Sequence, residues 1–119
     1  LCNKIYVTDN DQSFVDNIIK NFSNNEVTNG KVFKEEFSEG LKSEGLYDLI
    51  VIDCPQYNFN LNLLNQVNMG GRIIYIEKIN EELSKAYKMI KYEDNYSKVF
   101  LFDVFSNFYL TKQEEGFNF

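Results

Sequence analysis

Histidine and tryptophan are absent from this chain of 119 residues. Without histidine there is no imidazole for general acid–base work or for metal ligation. Two cysteines, Cys2 and Cys54, are too few for a disulfide framework or a thiolate zinc site. One proline, Pro55, and six glycines leave no Pro/Gly/Ser linker to divide the chain. Basic residues are outnumbered, 12 Lys and Arg against 18 Asp and Glu, for a net charge of −6. Nucleic-acid binding calls for a basic stripe, so this balance argues against it, and equally against an anionic membrane surface. No apolar run approaches the roughly 20 residues of a membrane span. Leu1-Cys2-Asn3-Lys4 lacks the apolar core of a signal peptide. The expectation is a cytoplasmic protein.

What remains is ordinary globular material. An apolar fraction of 44% supports one hydrophobic core, and the length fits a single domain over residues 1–119. Lys4-Ile5-Tyr6-Val7-Thr8 reads as a first strand. Asp9 or Asp11 can cap the helix after it, where Phe14, Val15, Ile18, Ile19 and Phe22 recur at helical spacing. Asn24-Asn25 ends that helix. A second strand falls between Val27 and Phe33, and a short helix over Glu35–Ser43, broken by Gly45. Tyr47–Asp53 is a short apolar run, a strand buried on both faces. Cys54-Pro55-Gln56-Tyr57-Asn58 is a loop, and Leu61–Val67 a short helix. Gly70-Gly71 turns into a strand over Arg72–Ile76. Glu81–Ile90 reads as a helix with Leu83, Ala86, Tyr87 and Ile90 on one side. Val99–Leu110 is either a strand end followed by a helix or a hairpin turning at Ser106-Asn107.

Strands alternating with helices predict a three-layer α/β sandwich: a five-stranded, mostly parallel sheet with helices on both faces, flavodoxin-like or Rossmann-like. Ligands in such folds sit at the C-terminal strand ends. Asp9, Asp53 and Glu77 all follow strands there. Carboxylates gathered at one edge repel unless a cation compensates, and Mg²⁺ takes such oxygen ligands. A carboxylate beside that ion can also attack phosphorus. Each acid has an ordinary alternative as a helix cap or turn former. Cys54 has no cationic neighbour in sequence and reads as a small buried hydrophobe. Gly70-Gly71 has no following Lys-Ser/Thr and is not a phosphate loop.

On these residues the chain resembles a response-regulator receiver domain over nearly its whole length. Lys4–Asp11 is similar to that family's first strand with its acidic cluster. Tyr47–Asp53 is similar to its third strand ending in the phosphoacceptor, and Lys98-Val99-Phe100 to its Lys-Pro-Phe after the fifth strand. The resemblance implies that Asp53 accepts phosphate from a histidine kinase. It implies that Asp9, Asn10, Asp11 and Asp53 hold Mg²⁺, and that Lys98 contacts the phosphoryl group. Protein partners follow, a kinase or a signalling target, with a homodimer as a further candidate. The sequence departs from the family at Asn10, where a second acid is usual, and at Glu77, where a Thr or Ser is usual. Lys98 has no following proline, and Lys112 competes for its role. A degenerate receiver would signal by contact alone.

The chain also resembles an S-adenosylmethionine-dependent methyltransferase of Rossmann type. Val7-Thr8-Asp9-Asn10-Asp11 is similar to the strand whose terminal acid binds a ribose. Tyr47–Pro55 and Gly70-Gly71-Arg72-Ile73-Ile74-Tyr75 are similar to the later strands. Lys98–Phe105 and Phe108–Lys112 would then form the closing antiparallel hairpin. The glycine-rich first turn would have to precede Lys4, which implies a fragment or a non-catalytic subunit. A third possibility is an adaptor or oligomerisation domain, using the aromatic tail that ends in Phe117 and Phe119.

Overall fold

The computed structural model describes residues 4–35, 40–41 and 45–105. They belong to two compact units, Leu1–Leu41 and Lys42–Phe119.

The first unit is a strand–helix–strand motif. β1 (Ile5–Asp9) leads into α1 (Gln12–Asn24), which returns the chain to β2 (Gly30–Lys34). β1 and β2 pair in parallel, from Ile5 against Gly30 to Asp9 against Lys34. Parallel pairing requires a crossover between the strands, and α1 supplies it. Its N-terminus is fixed by Asp11, whose side chain accepts from the Ser13 and Phe14 backbone N–H groups. Such a cap satisfies donors that the first helical turn leaves open. Val15 is buried, and Ile18 and Phe22 are partly buried. Phe14 and Ile19, expected on the same inward face, are instead at least half exposed. The helix stops in a six-residue closure. Glu26 N–H donates to Ser23 O and Val27 N–H to Phe22 O, with Glu26 left-handed at φ 56°. Gly30 opens β2 because a Cβ there would lie 2.7 Å from the Phe22 ring.

The second unit is a four-stranded sheet in the order β3-β4-β5-β6. β3 is Tyr47–Gln56, β4 Val67–Lys78, β5 Ser84–Lys91 and β6 Tyr96–Val104, with a 3-10 helix at Leu61–Gln66 between β3 and β4. β3 and β4 are parallel, whereas β4-β5 and β5-β6 are antiparallel hairpin pairs. The core lies on one sheet face. Ile50, Ile73 and Met89 align across three strands, and Leu63 of the 3-10 helix packs with them. Leu63, Val67, Ile73, Tyr75 and Met89 are essentially solvent-free. Each apolar side chain buried this fully contributes about 1.5–3 kcal/mol relative to exposure. An aromatic row crosses the same face: Phe59 stacks on Tyr75 at 4.1 Å, Tyr75 meets Tyr87 at 5.7 Å, and Tyr87 meets Phe100 at 6.1 Å.

Several expectations are corrected. The described residues form two sheets, one of two strands and one of four, rather than one five-stranded sheet. Glu81–Ile90 is not a helix; most of it is β5. Asn80 accepts from the Glu82 and Leu83 backbone N–H groups, as a helix cap would. Yet Ile79 and Asn80 both donate to Leu83 O, which closes a tight turn and sends the chain back along β4. β3 runs three residues past Asp53 and takes in Cys54-Pro55-Gln56, expected as loop. Gly70-Gly71 does not precede a strand but lies inside β4, at a register break between the Tyr47/Val67 and Leu49/Arg72 pairs. The helix expected over Glu35–Ser43 falls largely outside the described residues, and the strand expected over Phe108–Lys112 wholly so.

Candidate functional site

The residues singled out by the sequence fall in both units: Asp9, Asn10 and Asp11 at the end of β1 in one, and Asp53, Glu77 and Lys98 within β3, β4 and β6 in the other. In the first unit, the acids after β1 are tied into local hydrogen bonds. Asp9 Oδ1 accepts from Asp11 N–H at 2.9 Å, closing the turn between strand and helix. Its backbone carbonyl accepts from Glu35 N–H at 3.1 Å. Asp11 Oδ1 accepts from Ser13 N–H at 2.8 Å, Ser13 Oγ at 2.6 Å and Phe14 N–H at 3.4 Å. Hydrogen bonds from the Ser13 hydroxyl and backbone hold the Asp11 carboxyl below its ordinary value, against a smaller opposing effect of burial. Asp11 is therefore a capping residue. Asn10 is exposed and Asp9 only partly so. Asp9 keeps its second carboxylate oxygen without a hydrogen-bond partner among the described residues. A carboxylate so placed at a parallel strand's C-terminal end suits a vicinal diol, which offers two O–H donors.

In the second unit, Asp53 sits in a bulge. Between the Val51/Ile74 and Pro55/Ile76 pairs, β3 inserts Ile52, Asp53 and Cys54 against Tyr75 alone. A bulge re-aims side chains and increases local twist. Asp53 is exposed, with the Cys54 thiol 3.6 Å from its Oδ1, and Cys54 is partly buried and in no disulfide among the described residues. The register sets Glu77 beside Gln56, not beside Asp53. Lys98 Nζ donates to Glu77 Oε1 at 3.4 Å and lies 4.2 Å over the Tyr87 ring. The Tyr75 hydroxyl is also near enough to act on its charge. Burial pulls the Lys98 ammonium down, but Tyr75 and Glu77 together outweigh it, so its pKa is raised. Burial pushes Tyr75 up, and Lys98 only partly offsets that.

Glu77 and Lys98 thus meet, as an ion pair. Asp53 and Lys98 do not share a pocket: β4 and β5 stand between their strands, a separation of about 14 Å at three strand spacings. Among the described residues no group of three His, Cys, Asp or Glu side chains is placed to hold a metal ion. A cleft of about 350 Å³, lined by Gly45, Leu46, Asn62, Asn65 and Gln66, opens at the N-terminal end of β3. That is the end opposite to the one at which open α/β sheets bind ligands. Sequence reasoning missed Tyr75 and Tyr87, which surround Lys98. It also missed Gln56, whose buried Nε2 has no partner among the described residues. Tyr75 lay within the expected strand Arg72–Ile76, whereas Tyr87 was assigned to a helix, so their meeting across β4 and β5 was not foreseen.

No family model and no curated protein matches the sequence. Solved structures do resemble it. A candidate protein-L-isoaspartate O-methyltransferase from Plasmodium falciparum, in complex with S-adenosyl-L-homocysteine, matches with a TM-score of 0.72 at 18% identity. That match covers 91% of this chain and 52% of the other. A second protein-L-isoaspartate O-methyltransferase matches with a TM-score of 0.78 at 14% identity, over 92% of this chain and 34% of the other. The chain therefore spans about half of one and a third of the other. At these identities the likeness is one of fold alone, mixed α/β and Rossmann-like. No helix among the described residues is long and apolar enough to cross a membrane.

Proposed function

We propose that this chain forms part of an S-adenosylmethionine-dependent methyltransferase-like domain, with Asp9 at the nucleoside end of the cofactor. The observation that carries the reading is the pair of methyltransferase neighbours, one of them in complex with S-adenosyl-L-homocysteine, each covering more than nine-tenths of the chain. The acid at the end of β1 supports it, because a carboxylate with a spare oxygen can accept from both ribose hydroxyls. β6 overlaps the strand expected over Lys98–Phe105, but its partner is β5, and the expected partner strand Phe108–Lys112 lies outside the described residues.

The residues present fit one end of that cofactor. No glycine-rich turn follows an opening strand: Gly30 starts β2, and Gly70 and Gly71 lie inside β4. Nothing in the described residues cradles the methionine end, so no transfer step is assigned to this chain. The receiver reading, with phosphate on Asp53 and Mg²⁺ around it, gains no support from the neighbours or from the separation of Asp53 and Lys98.

Calorimetric titration with S-adenosyl-L-homocysteine tests the proposal, using wild type and Asp9→Asn. Binding by wild type and a loss of about tenfold in the variant, near 1.4 kcal/mol, is expected. No heat with wild type, or equal affinity in both, would overturn it.

A further inference from the structure

β6 ends the four-stranded sheet, and no described strand pairs with its outer edge. It is nine residues long, and Val99, Phe100 and Phe102 are 43%, 51% and 58% exposed. Long apolar edges of this kind are templates for pairing with another chain. We propose that the β6 edge pairs, antiparallel, with the β6 edge of a second copy of this chain, in the register that sets Lys98 opposite the partner's Asp103.

The charge pattern selects that occupant. Lys98 faces Met89 across β5, and Asp103 faces Lys85. Met89 and Lys85 are four residues apart on β5, so both charges of β6 stand on one sheet face. In a regular strand Lys98 and Asp103, five residues apart, would point to opposite faces. The extra residue, Leu101, lies between the Tyr87/Phe100 and Ala86/Phe102 pairs and restores the match. The same register sets Val99 opposite the partner's Phe102 and Ser97 opposite the partner's Val104. Around a two-fold axis each contact occurs twice.

Within one chain, Lys98 already reaches Glu77 at 3.4 Å and Asp103 reaches Lys85 at 3.2 Å. Pairing two copies joins these into a continuous run of alternating sign: Glu77, Lys98, the partner's Asp103, the partner's Lys85. Opposite charges directly across paired strands stabilise the pairing, and like charges oppose it. The bulge at Leu101 twists the centre, so the pairing rests on its two outer arms, Ser97–Val99 against Phe102–Val104 of the partner.

The test is the mass of the chain in solution, by sedimentation equilibrium, for wild type, Lys98→Asp, Asp103→Lys and an equimolar mixture of the two variants. Circular dichroism checks that each variant is folded. Wild type should be dimeric and each variant monomeric, since each sets like charges opposite one another twice. The mixture should recover the dimer, because every mixed interface sets Asp opposite Lys at both positions. Should either variant fail to fold, Phe102→Lys serves in its place, since this side chain is exposed and its change should give a folded monomer. A monomeric wild type at its highest soluble concentration would overturn the proposal. So would a monomeric mixture of folded variants, or a Phe102→Lys protein that remains dimeric.

Discussion

Gly71→Ala is the substitution that the geometry of β4 makes most costly for its size. A Cβ on Gly71 would lie 2.5 Å from Val67 Cγ1, 2.8 Å from the Asn68 carbonyl oxygen and 3.0 Å from the Asp48 carbonyl oxygen. Two of the three are backbone atoms and cannot rotate away. Relief would have to come from moving β3 against β4 at the register break, beside fully buried Val67 and Ile73. Overpacking of this kind costs about 1–3 kcal/mol, set against a gain of roughly 0.4–1 kcal/mol from a stiffer unfolded chain. A net loss of about 1–2 kcal/mol corresponds to a drop in Tm of roughly 5–15 °C for a domain of this size. Gly70 is the internal control. It has φ +82° and nothing within 4 Å of an added Cβ, so Gly70→Ala carries backbone strain alone, about 1 kcal/mol, and Gly70→Asn less. Thermal unfolding followed by circular dichroism reads all three. A Gly71→Ala protein melting with wild type, or a larger loss for Gly70→Ala, would refute the bulge as the reason for the glycine pair.

Three further outcomes follow from the local chemistry. Glu26→Gly should raise stability by about 1 kcal/mol in urea unfolding, because glycine adopts the left-handed conformation of Glu26 without strain. Asp11 is held below its ordinary 3.8 by Ser13, so its contribution is complete above that value and lost as pH falls through the lowered one. Asp11→Ala should melt earlier at neutral pH and show a flatter acid limb. Lys98 and Tyr75 are both raised above their ordinary 10.5 and 10.0, so their contributions are complete below pH 10.0 and lost as pH rises through the folded values. Urea midpoints should therefore fall above pH 10.0.

The first half of the chain was legible because local signals and long-range contacts agree there. Asp11 caps α1, Asn24-Asn25 ends it, and the β1-α1-β2 crossover follows. The run Tyr47–Asp53 was also readable as a strand, but not as one buried on both faces: Ile50 and Ile52 pack on the core, whereas apolar Leu49 and Val51 are exposed. The second half misled for a physical reason. Leu83, just before β5, and Ala86, Tyr87 and Ile90 within it satisfy helical spacing, yet neighbouring strands on both sides make the segment a central strand with no clean alternation. Asn80 gave the same two hydrogen bonds that a helix cap gives, within a turn. The candidate site suffered with it. Lys98 was matched to Asp53 on motif position, whereas the antiparallel return of β5 and β6 carries it to Glu77. Asp9 was named in both family resemblances, and its role depends on which strand arrangement surrounds it.

The most direct test of the account is an amide NMR titration with S-adenosyl-L-homocysteine, run in parallel with Mg²⁺ and beryllofluoride. The account predicts shifts centred on Asp9, Asn10 and Asp11 with the first ligand, and no joint response of Asp53 and Lys98 to the second pair. Joint shifts at Asp53 and Lys98 with beryllofluoride, and none at Asp9 with S-adenosyl-L-homocysteine, would contradict it.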